Sequence, residues 1–172
     1  MQKYKINDVD FFAEANLTES ARTDAEAYLI DGQPAYTTLE KDSYQEVTIK
    51  NHSCVEYQFV PIDHNIVIVN ESGQTESSCD GMIYYGERRN IIFVELKDRD
   101  RHSWINEAIC QLEHTIKIFS KKCPHHLFGK KRAYASNRRH MIYQTPTSHR
   151  EQYDKFRNLY HYRLNICGTI DI

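Results

Sequence analysis

Residues 80–97 read DGMIYYGERRNIIFVELK and contain two apolar runs joined by a polar turn. Apolar residues bounded by a turn that includes glycine are typical of two paired strands. The stretch predicts a β-hairpin with a four-residue turn over 86–89, so that Tyr85 pairs with Asn90. This hairpin is expected to form the centre of a sheet.

Acidic and basic side chains stand at the open end of this hairpin. Because side chains alternate between the faces of a strand, Glu95 and Lys97 share one face and Leu96 points to the other. The register of the hairpin places Asp80 opposite Glu95. A strand this apolar is expected to be buried, and two facing carboxylates are costly there without a cation. The pattern therefore predicts a cation between them.

A helix is expected after the hairpin, beginning at Ser103 and ending near residue 119. Its apolar residues fall on one arc of the helix, so the helix should pack on the sheet. Gln111 lies at the border of that arc, where its amide can reach over the end of the sheet. A short strand over 132–136 and a final helix over 149–165 are predicted next.

The N-terminal third is expected to begin with a helix and continue as strands. Residues 16–29 show a capping pattern and helical spacing, and strands are predicted over 44–50, 55–60 and 66–69. The chain of 172 residues is the size of one domain. The predicted fold class is α/β or α+β, with a central mixed sheet flanked by helices and a β-rich N-terminal extension.

Charge is distributed unevenly along the chain. Residues 1–86 hold 5 Lys and Arg against 15 Asp and Glu, whereas residues 87–172 hold 17 against 9, so the halves carry −10 and +8. A basic half favours a polyanionic partner, of which nucleic acid is the commonest, although a polarised solvated surface would give the same pattern.

Targeting and cysteine patterns predict a cytoplasmic protein that does not insert in a membrane. The N-terminus lacks a basic stretch leading into an apolar one, and no apolar run reaches the length of a membrane span. The five cysteines are scattered and odd in number, which is typical of reduced thiols.

Asp80, fourteen further residues and then Glu95-Leu96-Lys97 resemble the core of the PD-(D/E)XK nuclease superfamily. Gln111, which follows on the predicted helix, is similar to a glutamine that several branches of that superfamily carry. The resemblance covers about residues 79–136 and implies a restriction-endonuclease-like core within a single domain over 1–172.

The resemblance implies a Mg²⁺- or Mn²⁺-dependent nuclease that hydrolyses phosphodiester bonds, with DNA favoured over RNA and a role in defence or repair. Asp80, Glu95 and the Leu96 carbonyl would hold the metal. Lys97 would orient or deprotonate the attacking water, and Gln111 would position Lys97, the water or the substrate. Family members often pair to cut two strands, which is compatible with a homodimer, but the sequence identifies no interface.

The sequence departs from the family pattern in two places. Cys79 stands where the family name has proline. An acidic residue that the family often adds on its first helix is left unassigned among five candidates, which are Glu14, Glu19, Glu26, Glu40 and Glu46.

Basic residues that follow or begin the elements near the site are the expected phosphate contacts. They are Arg99, Arg101, Lys130, Lys131, Arg132, Arg138 and Arg139. A salt bridge between Glu95 and Lys97 at a strand end is the plain structural alternative. The functional alternative is a non-catalytic nucleic-acid-binding or regulatory protein that keeps the nuclease fold.

Overall fold

The computed structural model describes residues 2–41, 47–99, 103–139 and 149–172. Within these ranges the α-helices are α1 (Trp104–Lys122) and α2 (Arg150–Lys155), and α2 continues into a π-helical turn, Phe156–Tyr160. The strands are β1 (Gln2–Lys5), β2 (Glu26–Ile30), β3 (Tyr36–Thr38), β4 (Val47–Lys50), β5 (Tyr57–Pro61), β6 (Ile66–Val69), β7 (Gly81–Tyr85), β8 (Asn90–Lys97), β9 (Lys130–Asn137), β10 (Arg163–Ile166) and β11 (Thr169–Asp171). The protein is α+β.

The predicted hairpin is the centre of a five-stranded mixed sheet with the order β10-β9-β8-β7-β5. β5, β7 and β8 are antiparallel, whereas β9 and β10 run parallel to β8. Tyr85 pairs with Asn90, which confirms the predicted register. Continuing this register one residue beyond Gly81 and Val94 places Asp80 opposite Glu95.

The two faces of the central sheet bury different cores. Alternate residues such as Phe93 pack with α1, α2 and the π-helical turn, while Ile92, Val94 and Leu96 face a second core. That second core is closed by a four-stranded sheet with the order β11-β4-β2-β3. Among the described residues both α-helices therefore lie on one face of the central sheet, and a second sheet covers the other face.

Helix α1 forms as its amphipathic pattern predicts, and it ends three residues later than expected. Ser103 precedes it, but its side chain makes no capping hydrogen bond. The predicted apolar arc is buried, namely Trp104, Ile105, Ala108, Ile109, Leu112, Ile116 and Phe119. No described helix is long and apolar enough to cross a lipid bilayer.

Two helix predictions were wrong, the first in the type of structure and the second in its extent. Residues 16–29 do not form a helix, because Ala27 and Leu29 lie on β2 and their side chains enter the second core. The final helix gives way to extended chain at His161, whose φ of 62° is left-handed. The residues from Arg163 onward then form β10 beside β9, since pairing in the sheet replaces the last helical turns.

Candidate functional site

The predicted residues of β8 and α1 meet at the end of the central sheet. Lys97 Nζ donates to Glu95 Oε1 and also to Gln111 Oε1 at 2.6 Å. Glu95 and Lys97 are two residues apart on one face of β8, and α1 covers that face. The ammonium group is thus fixed between a carboxylate and an amide.

Glu95 is a buried acid with one oxygen unsatisfied. Its side chain is 0% exposed, and that of Lys97 is 11% exposed. Glu95 Oε2 has no hydrogen-bond partner among the residues that the structure describes. A buried carboxylate oxygen without a donor is unfavourable, and it is suited to accept a cation.

Asp80 lies beside Glu95 and takes over a backbone hydrogen bond of β8. Its Oδ2 accepts from the Leu96 amide at 2.5 Å. If the hydrogen-bond ladder between β7 and β8 continued, the Cys79 amide would donate to the Leu96 carbonyl. It donates instead to Thr115 Oγ1 at 2.8 Å. The amide and carbonyl of a strand residue point to the same side, so the Leu96 carbonyl faces the Asp80 edge without its ladder donor.

Helix α1 also holds the segment that leads into Asp80. Gln111 Nε2 donates to the Ser78 carbonyl at 3.1 Å, so the same amide contacts both Lys97 and the chain before Asp80. One turn later, Thr115 Oγ1 donates to the Gln111 carbonyl at 2.9 Å. Gln111 and Thr115 together position the two strands that carry the acids.

Burial raises the pKa of both carboxyl groups. The pKa of Asp80 rises from its ordinary 3.8 to about 7, chiefly through burial and further through the nearby Asp31 and Asp63, against the opposing Leu96 amide and Lys97. Burial and the neighbouring Asp80 also raise the pKa of Glu95 well above its usual range, although Lys97 opposes this. Lys97 therefore compensates only part of the cost of burying these two charges, and both carboxyl groups tend to keep a proton near neutral pH unless a further cation is bound.

Asp31 and Asp63 were not predicted, and both come from the acidic half of the chain. Asp31 directly follows β2 and Asp63 lies two residues after β5. The backbone amide of Asp63 donates to the Cys79 carbonyl at 3.2 Å, which brings Asp63 next to the segment that carries Asp80. The position of Asp31 directly after a strand could have indicated that it reaches the site. This signal was missed because the residues before Asp31 were predicted as a helix.

None of the four candidate glutamates that the structure describes is among the acids that raise the pKa of Asp80. Glu19 accepts from Thr37 Oγ1 at 2.8 Å, and Glu26 pairs with Lys50. Glu14 and Glu40 are exposed, and Glu46 lies outside the described residues. The additional acids near the site are instead Asp31 and Asp63.

Basic residues at this end of the sheet are engaged in ion pairs. Arg99 pairs with Glu107, and both Arg138 and Arg139 pair with Asp98. A phosphate would compete with these carboxylates. Arg101 lies outside the described residues.

The other predicted phosphate contacts lie at the opposite end of the sheet. Lys130, Lys131 and Arg132 begin β9 and are paired in register with 90–92, whereas Lys97 is paired with Asn137. Seven residues of strand separate the two ends by about 23 Å. Arg132 donates to the hydroxyl of Tyr85 at 2.7 Å, and Lys131 donates to two backbone carbonyls. The structure thus divides the basic residues into two groups.

The donor set fits a hard divalent cation. No three side chains of His, Cys, Asp or Glu converge on one metal position in the described part of the chain. Two carboxylates and one carbonyl are nevertheless available, and Mg²⁺ is usually held by one or two carboxylates with the rest of its shell as water. The unsatisfied Glu95 Oε2 is the observation that favours this fit.

Comparison of the chain with protein-family models, with curated proteins and with solved structures gives no match. The contacts and charges described above are therefore what supports a function.

Proposed function

We propose that the protein is a metal-dependent nuclease that hydrolyses phosphodiester bonds in nucleic acid, with DNA as the favoured substrate. The observation that carries the proposal is the buried Glu95, which shares Lys97 with Gln111 and keeps one oxygen unsatisfied opposite Asp80. A salt bridge that only stabilised the strand end would not need a second buried acid beside it.

The order of elements supports a restriction-endonuclease-like core. β5, β7 and β8 form an antiparallel meander, α1 crosses one face, and β9 returns parallel to β8. The resemblance implies a helix, three strands, a helix and a strand in chain order. β5, β7, β8, α1 and β9 follow the last five of these, with β6 inserted between β5 and β7, and the proposed site stands at the end of β8. The first helix of the family pattern has no counterpart among the described residues.

Asp80, Glu95 and the Leu96 carbonyl would hold Mg²⁺ or Mn²⁺. When bound, the ion lowers the pKa of a water molecule and stabilises negative charge on the phosphate. The two carboxylates provide the charge that selects a hard cation at this position.

Lys97 places its ammonium group beside the proposed metal position. Its ammonium donates to Glu95 and Gln111, and a third N–H remains to hold a water molecule or a phosphate oxygen. Since Gln111 also binds the Ser78 carbonyl, it keeps the ammonium group aligned with the Asp80 segment. A fixed donor aimed at developing charge needs little reorganisation during the reaction.

Cleavage of plasmid, single-stranded DNA and RNA with Mg²⁺, Mn²⁺ or EDTA tests the proposal. We expect cutting with a divalent ion and none with EDTA. Glu95→Gln and Lys97→Met should lower the rate on the order of a hundredfold or more, because each removes charge from the reacting centre while keeping side-chain volume.

Glu56→Gln and Lys3→Met are matched controls, because both residues are exposed and lie outside the site. Both controls should cut at the wild-type rate. If no substrate is cut with either metal, or if the site variants cut like the controls, the protein is not a nuclease of this kind. Nucleic-acid binding without cutting would favour the non-catalytic alternative.

A further inference from the structure

A groove of about 760 Å³ runs along the open edge of the five-stranded sheet. Every residue from Tyr162 to Cys167 lines it, together with residues of α2 and the π-helical turn. Among the described strands β10 pairs only with β9. Because consecutive side chains of a strand point to opposite faces, a cavity lined by six consecutive residues must face the strand edge.

The groove is positively charged. Its described lining includes the cations Lys131, Arg157 and Arg163, with Asp154 as the one acid. Asp154 already has a cationic neighbour, since Arg150 Nε lies 3.9 Å from its Oδ2. The groove therefore attracts anions.

Two of these cations are available to a ligand. Arg157 and Arg163 are exposed, and neither guanidinium group forms a hydrogen bond or ion pair with any residue in the described ranges. The Lys131 ammonium is held at the groove by the His125 and Phe128 carbonyls, at 3.0 and 2.9 Å. The described arginines at the carboxylate end of the sheet, Arg99, Arg138 and Arg139, are in contrast paired with acids.

The groove leads to the end of the sheet that carries the acids. The Cys167 amide donates to the Ala135 carbonyl at 3.2 Å, and Ala135 pairs in register with Glu95. Two strand spacings, about 10 Å, separate β10 from β8. From Arg163 to Cys167 the groove follows the strand for about 13 Å.

We propose that this groove binds the phosphate backbone of a nucleic-acid strand and directs the strand to the carboxylate end of the sheet. The claim that the strand is directed to the carboxylate end rests on the proposed function, whereas the claim that the groove binds its phosphate backbone does not. Planar guanidinium groups match phosphate oxygens, and the rings of Tyr153 and His161 line the groove where bases can stack. These rings favour nucleic acid over an acidic peptide, which would use the strand edge and the charge alone.

Binding of a fluorescent single-stranded oligonucleotide, followed by anisotropy in EDTA, tests the groove without cleavage. Arg157→Glu/Arg163→Glu should raise the Kd at least tenfold. Lys3→Glu/Lys5→Glu on β1 changes the net charge equally and should leave the Kd near that of the wild type. Arg157→Ala/Arg163→Ala should lower the slope of log K against log salt by about 1.4, because each phosphate contact to a single strand contributes about 0.7.

Equal losses in the two reversal variants would mean that only net charge matters, and no loss in either would mean that the groove is unused. Both results overturn the proposal. Polyglutamate binding that depends on Arg157 and Arg163, with DNA binding unchanged, would overturn it in favour of a peptide site. Thermal melting should be unchanged in all variants, because the replaced side chains are exposed.

The proposal for the groove and the proposal for the nuclease site can be refuted independently. Glu95→Gln should abolish cutting and keep oligonucleotide binding, whereas the groove variants should lose kcat/KM and keep kcat at saturating DNA. If wild-type protein binds through Arg157 and Arg163 but never cuts, the proposed function is wrong and the groove stands. If the wild-type protein cuts DNA and the groove variants have the same kcat/KM, the proposed function stands and the groove proposal is wrong.

Discussion

Asp80→Asn should stabilise the metal-free protein above pH 7, although it removes a residue of the proposed site. The pKa of Asp80 is raised from 3.8 to about 7, mainly by burial. Asn keeps the shape of the side chain and an oxygen to accept from the Leu96 amide. The replacement therefore removes an unfavourable buried charge and keeps the hydrogen bond.

The magnitude follows from the rise in pKa. A rise of about three pH units, at about 1.4 kcal/mol for each, is on the order of 4 kcal/mol. Because the folded protein holds its proton more tightly than the unfolded chain, Asp80 costs nothing below about pH 4. Its contribution then becomes unfavourable as the pH rises to about 7 and stays constant above it. The gap between variant and wild type should open over that interval.

Urea denaturation in EDTA at a series of pH values from 4 to 8.5 measures this gap as a free energy of unfolding. Asp8→Asn is the control, since Asp8 is exposed, and its curve should follow that of the wild type. An Asp80→Asn curve parallel to the wild-type curve, or a variant less stable at pH 8, would refute the claim that Asp80 is a buried and poorly compensated acid.

Three further substitutions test the surroundings of the site. Gln111→Leu removes the acceptor at 2.6 Å from Lys97, so single-turnover cleavage should fall about tenfold to a hundredfold while oligonucleotide binding in EDTA is unchanged. Thr115→Val leaves the buried Cys79 amide without its acceptor and should cost about 1–3 kcal/mol of unfolding free energy in urea. Gly81→Ala should lower the melting temperature by several degrees, because a methyl group there overlaps a buried aromatic ring of β5.

The hairpin and α1 could be predicted because local patterns determine them. The turn length fixes the register, so Tyr85 pairs with Asn90 and Asp80 reaches Glu95 without further information. Helical spacing places Gln111 at the border of the buried face of α1, from which it contacts Lys97. Most of the candidate site follows from these two elements.

The N-terminal elements could not be predicted because distant pairing determines them. Ala25, Tyr28 and Leu29 suit the spacing of a helix. However, β2 pairs with β3 and β4, and its Ala27 and Leu29 side chains close the second core. Sheet pairing overrides local propensity there. The same error concealed Asp31, which directly follows β2 and acts on Asp80.

The C-terminal helix failed for a similar reason. Tyr153 and Phe156 follow helical spacing, but His161 adopts a left-handed conformation and the next residues join the sheet edge beside β9. Parallel pairing of β10 with β9 gives Leu164 and Ile166 a place in the first core. A local sequence pattern cannot predict this pairing, because β9 and β10 lie far apart in the sequence.

The distribution of charge now has a structural explanation in part. Asp31 and Asp63 from the acidic half stand beside the acids of the hairpin. The basic half contributes Lys97 to the same place and Arg157 and Arg163 to the groove. The acidic half of the chain therefore adds negative charge where the proposed metal would bind. The basic half adds positive charge where the proposed phosphate backbone would bind.

Binding of Mn²⁺ tests the central claim most directly, because the proposed cleavage depends on a divalent ion held by Asp80 and Glu95. Electron paramagnetic resonance of free Mn²⁺ during a titration counts the bound ions. We predict that wild-type protein binds Mn²⁺, that Glu95→Gln loses this binding, and that Glu56→Gln keeps it. Equal binding by wild type and Glu95→Gln, or none by the wild type, would contradict the account.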